Sequence, residues 1–331
     1  MTKERLEWLS LLRGLTILLV VMFHVQLIDM STGENHPFCE TISYPFRLVR
    51  MPTFIFVSGG LLYLSRIKSG WSIVSLYVDK TKRILLPFIF FVTFFYFFKI
   101  AFNSFVKTKV TLSVGMFLES FAIYTDHPSA HLWFLVTLME LMLLFPLFRW
   151  LCKRKVSMLL FGIFSVLFFF IDFSFLSDYN YFNIVNFNRY LVFFFFGIMF
   201  FRYEGWRWTA SWRILLLLLG VYVVLYLLQV TLFTSLVGIL LLLSISQQVA
   251  FFVPKLFSTF RDYIFPIYLM SFVFQPFVEL VLWKKLFYNE NLFLLFYVLN
   301  VLMGIYGSVL VSKLVERIPI RYIRYCFGLN K

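Results

Sequence analysis

Two ionisable side chains interrupt the apolar run at 9 to 28, Arg13 and His24. An imidazole takes up and returns a proton near neutral pH, and a guanidinium grips phosphate or carboxylate oxygens. Eleven helical steps of about 100° fall within about 20° of three full turns, so the two side chains share one face about 16 Å apart along the axis. They draw a polar line through an apolar helix. Ionisable groups in membrane helices face a bundle interior or a wet cavity, which makes this line a candidate site. For Arg13 the alternative is a snorkelling anchor near the helix start. For His24, which has no long stem, it is a structural ring bonded to a neighbouring carbonyl.

Other residues with chemical potential are spread along the chain. Glu140 is the one carboxylate in the middle of an apolar segment, and its expected depth is within about 6 Å of that of His24 at 1.5 Å per residue. If the two helices touch, Glu140 can orient the imidazole or hold a substrate hydroxyl; pairing with an arginine is the structural alternative. Lys80 and Arg83, with Lys82 between them, precede Pro87, and a spacing of three puts Lys80 and Arg83 on one helix face, able to grip a polyanion together. A plain basic flank to a membrane helix has the same look. Arg47 and Arg50 open the next apolar stretch, which runs on to Ser58, Gly59 and Gly60. Each glycine costs a helix about 1 kcal/mol relative to alanine, and the return is close helix approach or room for a ligand. His127 and His131 have the spacing of a zinc pair, but Pro128 lies between them and no third ligand follows, so no metal is expected. Cys39, Cys152 and Cys326 show neither CxxC nor Cys/His spacing, which indicates no disulfide framework and no zinc site.

The elements that must position these residues follow from composition. The chain has 331 residues, is 61% hydrophobic and only 14% charged, with a mean hydropathy of +0.87, well above the roughly 45–50% apolar content of soluble domains. An all-α polytopic membrane protein is predicted, a single domain over 1–331. Hydropathy marks about ten transmembrane helices at 9 to 28, 46 to 64, 84 to 103, 132 to 151, 156 to 176, 189 to 204, 213 to 229, 231 to 248, 263 to 283 and 292 to 312. The weakest separation is Gln229 to Thr234, a short polar pause. An outside segment, 104 to 130, contains a short amphipathic helix at Leu112 to Tyr124. Most Lys and Arg fall on one side if the N-terminus is cytoplasmic, and an even count brings the C-terminus back to the same side. The first apolar run is of spanning length without a small-residue cleavage site, so it reads as an anchor. The net charge of +14 is scattered in short clusters between apolar runs, the pattern of a membrane protein and not of a nucleic-acid binder. No fixed-period repeat is visible.

Together these segments resemble the acyltransferase 3 family, membrane proteins of about ten spans that acylate hydroxyls of envelope glycans. The resemblance rests on Arg13-Gly14 followed by His24, on Arg50-Met-Pro-Thr-Phe through Ser58-Gly59-Gly60, on Lys80-Thr-Lys82-Arg83 before Leu-Leu-Pro87, on His131-Leu-Trp133-Phe-Leu, and on Ile267-Tyr268-Leu269. Ser10 stands where many members carry Asp, Ser271 where many carry His, and Lys80 where the basic motif has Arg. The last change keeps the charge but loses the bidentate fork.

The resemblance implies transfer of an acyl group, acetyl first among candidates, from cytoplasmic acyl-CoA to a hydroxyl of an extracytoplasmic or lipid-linked glycan at the inner membrane. It implies His24 as the base, aided by Arg13 and Glu140; Arg13, Lys80, Lys82 and Arg83 near the donor's phosphates; and Arg47, Arg50, Ser58, Gly59, Gly60, His131 and Trp133 about the substrates. A neutral imidazole, favoured by apolar surroundings, can take the acceptor proton as the oxygen attacks the thioester, or can itself carry the acyl group. The Gly59-Gly60 region or Arg50 can face the oxyanion. The partners are acyl-CoA, the glycan and membrane lipid, with no nucleic acid. Two other classes share the polytopic outline: a transporter or flippase of sugars, for which no inverted repeat is seen, and a structural component of a glycan-assembly complex.

Overall fold

The computed structural model describes residues 4–30, 32–103, 110–122, 128–173, 175–176 and 181–329. Among them it is all-helical, with one isolated bridge, Ile28 to Asn35, and no strand. The helices are α1 (Glu4–Phe23), α2 (Pro37–Ser43), α3 (Arg50–Leu62), α4 (Ile73–Lys80), α5 (Leu86–Ala101), α6 (Val114–Glu119), α7 (Trp133–Leu143), α8 (Phe145–Leu151), α9 (Lys155–Phe169), α10 (Ile184–Arg202), α11 (Trp212–Leu227), α12 (Thr231–Phe252), α13 (Ile264–Phe277), α14 (Phe293–Leu302), α15 (Ser308–Glu316) and α16 (Arg321–Cys326).

Every apolar segment expected to span contains helix. Among the described residues, six helical runs are long and apolar enough to cross a membrane: Pro37–Ile67, Ile73–Ala101, Ile184–Arg202, Thr231–Phe252, Arg261–Leu286 and Glu290–Glu316. A seventh forms if α7 and α8, bent by 51°, count as one. Pro146 lies at the start of α8 and has no N–H to give the carbonyl four residues back, which accounts for the bend at that point. α9 and α11 are apolar but shorter. Among the described residues, six or seven runs therefore have the required length and apolarity, against the ten expected over the whole chain. Val156, Leu159, Leu160, Ile163, Phe164 and Leu167 of α9 are all exposed, an apolar face that an aqueous surface would disfavour.

Several boundaries differ from those read in the sequence. α1 stops at Phe23, five residues short of the expected end, so His24 follows the helix directly and Arg13 is near its midpoint. Four π-helical stretches lengthen other helices, at Tyr63–Ile67, Thr81–Leu85, Val278–Leu286 and Met303–Gly307. The second of these carries the basic flank at Lys80 to Arg83, outside the expected span 84 to 103, in one helical run from Ile73. The amphipathic helix expected at Leu112 to Tyr124 is present as the six residues of α6; 123 to 127 lie outside the described residues. Gln229, with φ of 56°, turns the chain between α11 and α12 and separates the two segments where the sequence showed only a polar pause.

The chain divides into two compact units. The first comprises Met1–Val57 with Glu204–Arg317. Here α1 packs against α12 and α13, and its core joins Val25, Leu27, Cys39, Val278, Trp283, Phe293, Phe296 and Tyr297. Fully buried Trp283 donates from Nε1 to the Ile28 carbonyl at 2.8 Å, fixing the chain that leaves α1. Gly33, at φ of 74°, completes the turn that brings Asn35 back to Ile28.

The second unit comprises Ser58–Tyr203 with Ile318–Lys331. α10 packs on α7 and α9, and α16 covers α5. Its interior is largely phenylalanine: Phe148 and Phe161 both meet the Phe195 ring, and Phe327 lies against Phe90 and Phe91. Edge-to-face and offset ring pairs of this kind add to the area they bury.

Candidate active site

The residues expected to act are divided between the two units. In the first, Arg13 and His24 are separated by ten helical residues of α1, and His24 itself stands on the turn just past the helix end, where the helical period that put the two on one face no longer applies. Both side chains are half-buried. The His24 ring stands edge-on to Phe23, centroids 5.4 Å apart, and lies 4.4 Å from Phe272 of α13. Its ring nitrogens make no hydrogen bond to any described residue. The structural alternative, a ring tied to a backbone carbonyl, is therefore not what the geometry displays among those residues.

Arg50, the first residue of α3, sets its guanidinium over the Phe23 ring, 3.0 Å from the centroid, a cation–π contact. It is close enough to His24 to act on it electrostatically. The sequence offered Arg50, on a second span, as one candidate to face the oxyanion; Phe23 is the residue through which it meets the imidazole's surroundings. Arg47 is exposed. Arg13 feels the charge of Asp262, on the single 3-10 turn Arg261–Tyr263. That carboxylate, more than two hundred residues downstream, gave no signal in the sequence.

In the second unit the basic motif is assembled about Asp79. Asp79 accepts from Arg66 at 3.1 Å and from Arg83 at 2.7 Å, one oxygen each. Lys80 is half-buried and feels the charges of Asp79, Arg66 and Arg83. Arg66 is held from its other side by the Trp71 ring, 3.4 Å from its guanidinium carbon, and Arg149 donates to the Trp71 carbonyl at 3.2 Å. Three cations thus surround one carboxylate, a site with an excess of positive charge and preset side chains, suited to a phosphate-bearing ligand. Lys80 and Arg83 both lie about Asp79, but through a π-helical turn, Thr81–Leu85, and not the α-helical period that their spacing assumed. Lys82 does not join them: it lines an open groove of about 330 Å³ with Val74, Tyr77, Val78 and Thr81, one face of α4 and its π extension. Arg66 is the member the motif missed, because its link to the cluster is a tertiary contact across a turn.

Gly59 and Gly60 have a clear packing role. A Cβ on Gly59 would stand 2.0 Å from the Phe194 carbonyl oxygen, and one on Gly60 would stand 2.2 Å from the Phe201 ring. This is the close helix approach weighed against ligand space, here between α3 and α10. Both lie in the interior of α3, where backbone N–H groups serve the helix ladder, so Arg50 is the donor candidate that remains. Ser58 is half-buried beside them.

His131, on the 3-10 turn Ala130–Leu132, meets the Phe95 ring edge-on at 4.2 Å. Trp133 packs on Tyr190, and its carbonyl accepts from Asn183 Nδ2 at 3.1 Å; the same nitrogen reaches Thr137 Oγ1 at 2.6 Å. Two turns into α7, Glu140 keeps one carboxylate oxygen, Oε2, buried and without a hydrogen bond from a described residue. His127 lies outside the described residues, and among those described no three His, Cys, Asp or Glu side chains gather as a metal site.

A family model described as an acyltransferase domain, of the acyltransferase 3 type, matches residues 6–313, nearly the whole chain. No curated protein and no solved structure matches it. With the helical membrane architecture and the motifs now in place on it, the conclusion is that the chain belongs to the acyltransferase 3 family.

Proposed function

We propose that the protein is a membrane O-acyltransferase that moves an acyl group, acetyl first among candidates, from cytoplasmic acyl-CoA to a hydroxyl of an extracytoplasmic or lipid-linked glycan, in a cytoplasmic membrane that its chain crosses about ten times with both ends inside. The observation that carries the reading is the His24 imidazole: half-buried between Phe23 and Phe272, near the Arg50 cation, with no hydrogen bond to a described residue on either ring nitrogen. Such a ring is available to a ligand.

In this reading the acceptor O–H gives its proton to the imidazole as its oxygen attacks the thioester carbonyl carbon. Arg50 faces the oxyanion that develops. The C–S bond then breaks, the sulfur leaves with its electron pair, and the imidazolium returns the proton to it, so the products are an O-acyl ester and free CoA thiol. Arg66, Lys80 and Arg83 hold the donor's phosphates, with Asp79 setting the two arginines. Lys82 adds a further positive charge on the neighbouring face. Arg13 assists along the α1 line, Glu140 offers a buried acceptor oxygen for a substrate hydroxyl, and Arg47, His131 and Trp133 contribute to acceptor binding.

The test is reconstitution. Purified chain in liposomes, given labelled acetyl-CoA and an envelope glycan fraction on the opposite side, transfers label to glycan hydroxyls. Uptake of sugar without acetyl-CoA, and without label transfer, contradicts the proposal and favours a transporter.

A further inference from the structure

α13 reaches the end of α1 from the other end of the sequence. Gln275 donates from Nε2 to the Val21 carbonyl oxygen at 2.9 Å. The same oxygen accepts the His24 N–H at 3.1 Å. The last carbonyls of a helix have no partner in the ladder, and here one of them is held both by the amide of Gln275 and by the backbone of His24 itself. Three residues earlier on α13, and on the same face, Phe272 lies against the imidazole. One helix thus touches the ring with one side chain and, with another, holds the Val21 carbonyl that accepts the His24 N–H.

The place of the Gln275 amide is built. A Cβ on Gly304, in the π-helical turn Met303–Gly307, would stand 3.0 Å from Gln275 Cγ and 3.0 Å from Val21 Cγ1, so the absence of a side chain there leaves the gap across which the two meet. Asn300 donates to the Gln275 carbonyl at 3.2 Å, at a point where Pro276, next in sequence, interrupts the α13 ladder. Gln275 is buried, and its Oε1 accepts no hydrogen bond from a described residue. Since Val21 offers a carbonyl, only the NH2 end of the amide can face it. The side chain leaves its own oxygen unmet and keeps that one contact.

We propose that Gln275 is a positioning residue for acyl transfer: its amide pins the end of α1 through Val21 and so fixes where the His24 imidazole stands, with Gly304 supplying the gap. The inference rests on the reading of His24 as the base. Gln275 acts through the backbone and does not touch the reacting atoms. Displacement of a reacting group by about 1 Å can lower a rate about 100-fold, so loss of the pin is read in turnover and not in donor affinity.

The test compares full-length variants in membrane vesicles supplied with labelled acetyl-CoA. Gln275→Met fills the same space without an N–H and should lower turnover by about 10- to 100-fold, with the apparent affinity for acetyl-CoA within about twofold of wild type. Gly304→Ala keeps the amide and shifts it by a few tenths of an ångström, so it should lower turnover severalfold on a chain with Gln275 intact. Gly220→Ala, with nothing within 4 Å of the added carbon, should leave turnover unchanged. The rate at which diethyl pyrocarbonate modifies His24 should change in the first two variants and not in the third. Wild-type turnover in Gln275→Met overturns the inference, and so does loss of acetyl-CoA affinity in parallel with turnover, which marks a merely structural residue. If His24→Ala still transfers label, the reading of His24 has failed whatever Gln275 does; if His24→Ala is inactive while Gln275→Met turns over normally, only the positioning role has failed.

Discussion

Replacing Gly59 by alanine adds one methyl group where the structure has no space for it. The new Cβ would stand 2.0 Å from the Phe194 carbonyl oxygen and 2.9 Å from its carbon. Ordinary contact begins at about 3.4 Å, so about 1.4 Å of separation has to come from movement of backbone on α3 or α10, since no side-chain rotation can supply it. Overpacking a close-fitted interior costs about 1–3 kcal/mol, and a backbone clash belongs at the upper end. Against this, alanine gains about 1 kcal/mol over glycine in a helix interior. The net effect at Gly59 is a loss of about 2 kcal/mol, a drop of a few degrees in Tm. At Gly220 the gain stands alone, because nothing lies within 4 Å of the added carbon. The assay is thermal melting of the detergent-solubilised full chain, with Gly59→Ala, Gly60→Ala and Gly220→Ala side by side. The first two should melt below wild type and the third at or above it. Gly59→Ala melting together with Gly220→Ala would refute the close approach of α3 to α10.

Arg66→Ala, which leaves the whole basic motif intact, should weaken acetyl-CoA binding as Arg83→Ala does, with little change in acceptor use; equilibrium binding of acetyl-CoA and acceptor titrations separate the two, and unchanged donor affinity in Arg66→Ala would remove it from the cluster. Trp283→Phe removes the indole N–H that holds the Ile28 carbonyl and should cost about 1 kcal/mol of stability, read as lower Tm. Arg50→Lys keeps a charge over Phe23 but loses the planar guanidinium, and should lower turnover while acetyl-CoA affinity is kept; a fall in affinity alone would assign Arg50 to the donor side.

Local pattern made part of this legible. Apolar length located a helix in every expected segment. What the sequence hid depends on contacts between distant residues or on backbone detail. Arg50 meets the imidazole's neighbourhood through Phe23, Arg66 joins Asp79 across a turn, Asp262 faces Arg13, and Gln275 finds Val21 from 254 positions away. Nothing in their neighbours announces these pairings. Helix ends were also misplaced: Val25, Leu27 and Ile28 continue the hydropathy of α1 past Phe23, although the backbone has already turned toward the bridge with Asn35. The π-helical stretch at Thr81–Leu85 joins the basic flank to α4 and α5 in one run, with a period that the α-helical spacing did not foresee. The pairing of Gly59 with Gly60 announced either packing or space, and only the approach of α10 decides for packing.

The most direct measurement is mass spectrometry of the envelope glycan from cells whose only copy of this protein is His24→Ala, with its level in the membrane checked against wild type. The account predicts that the variant inserts normally and that the acyl groups added by the wild-type protein are absent. Normal insertion with those acyl groups still present would contradict it.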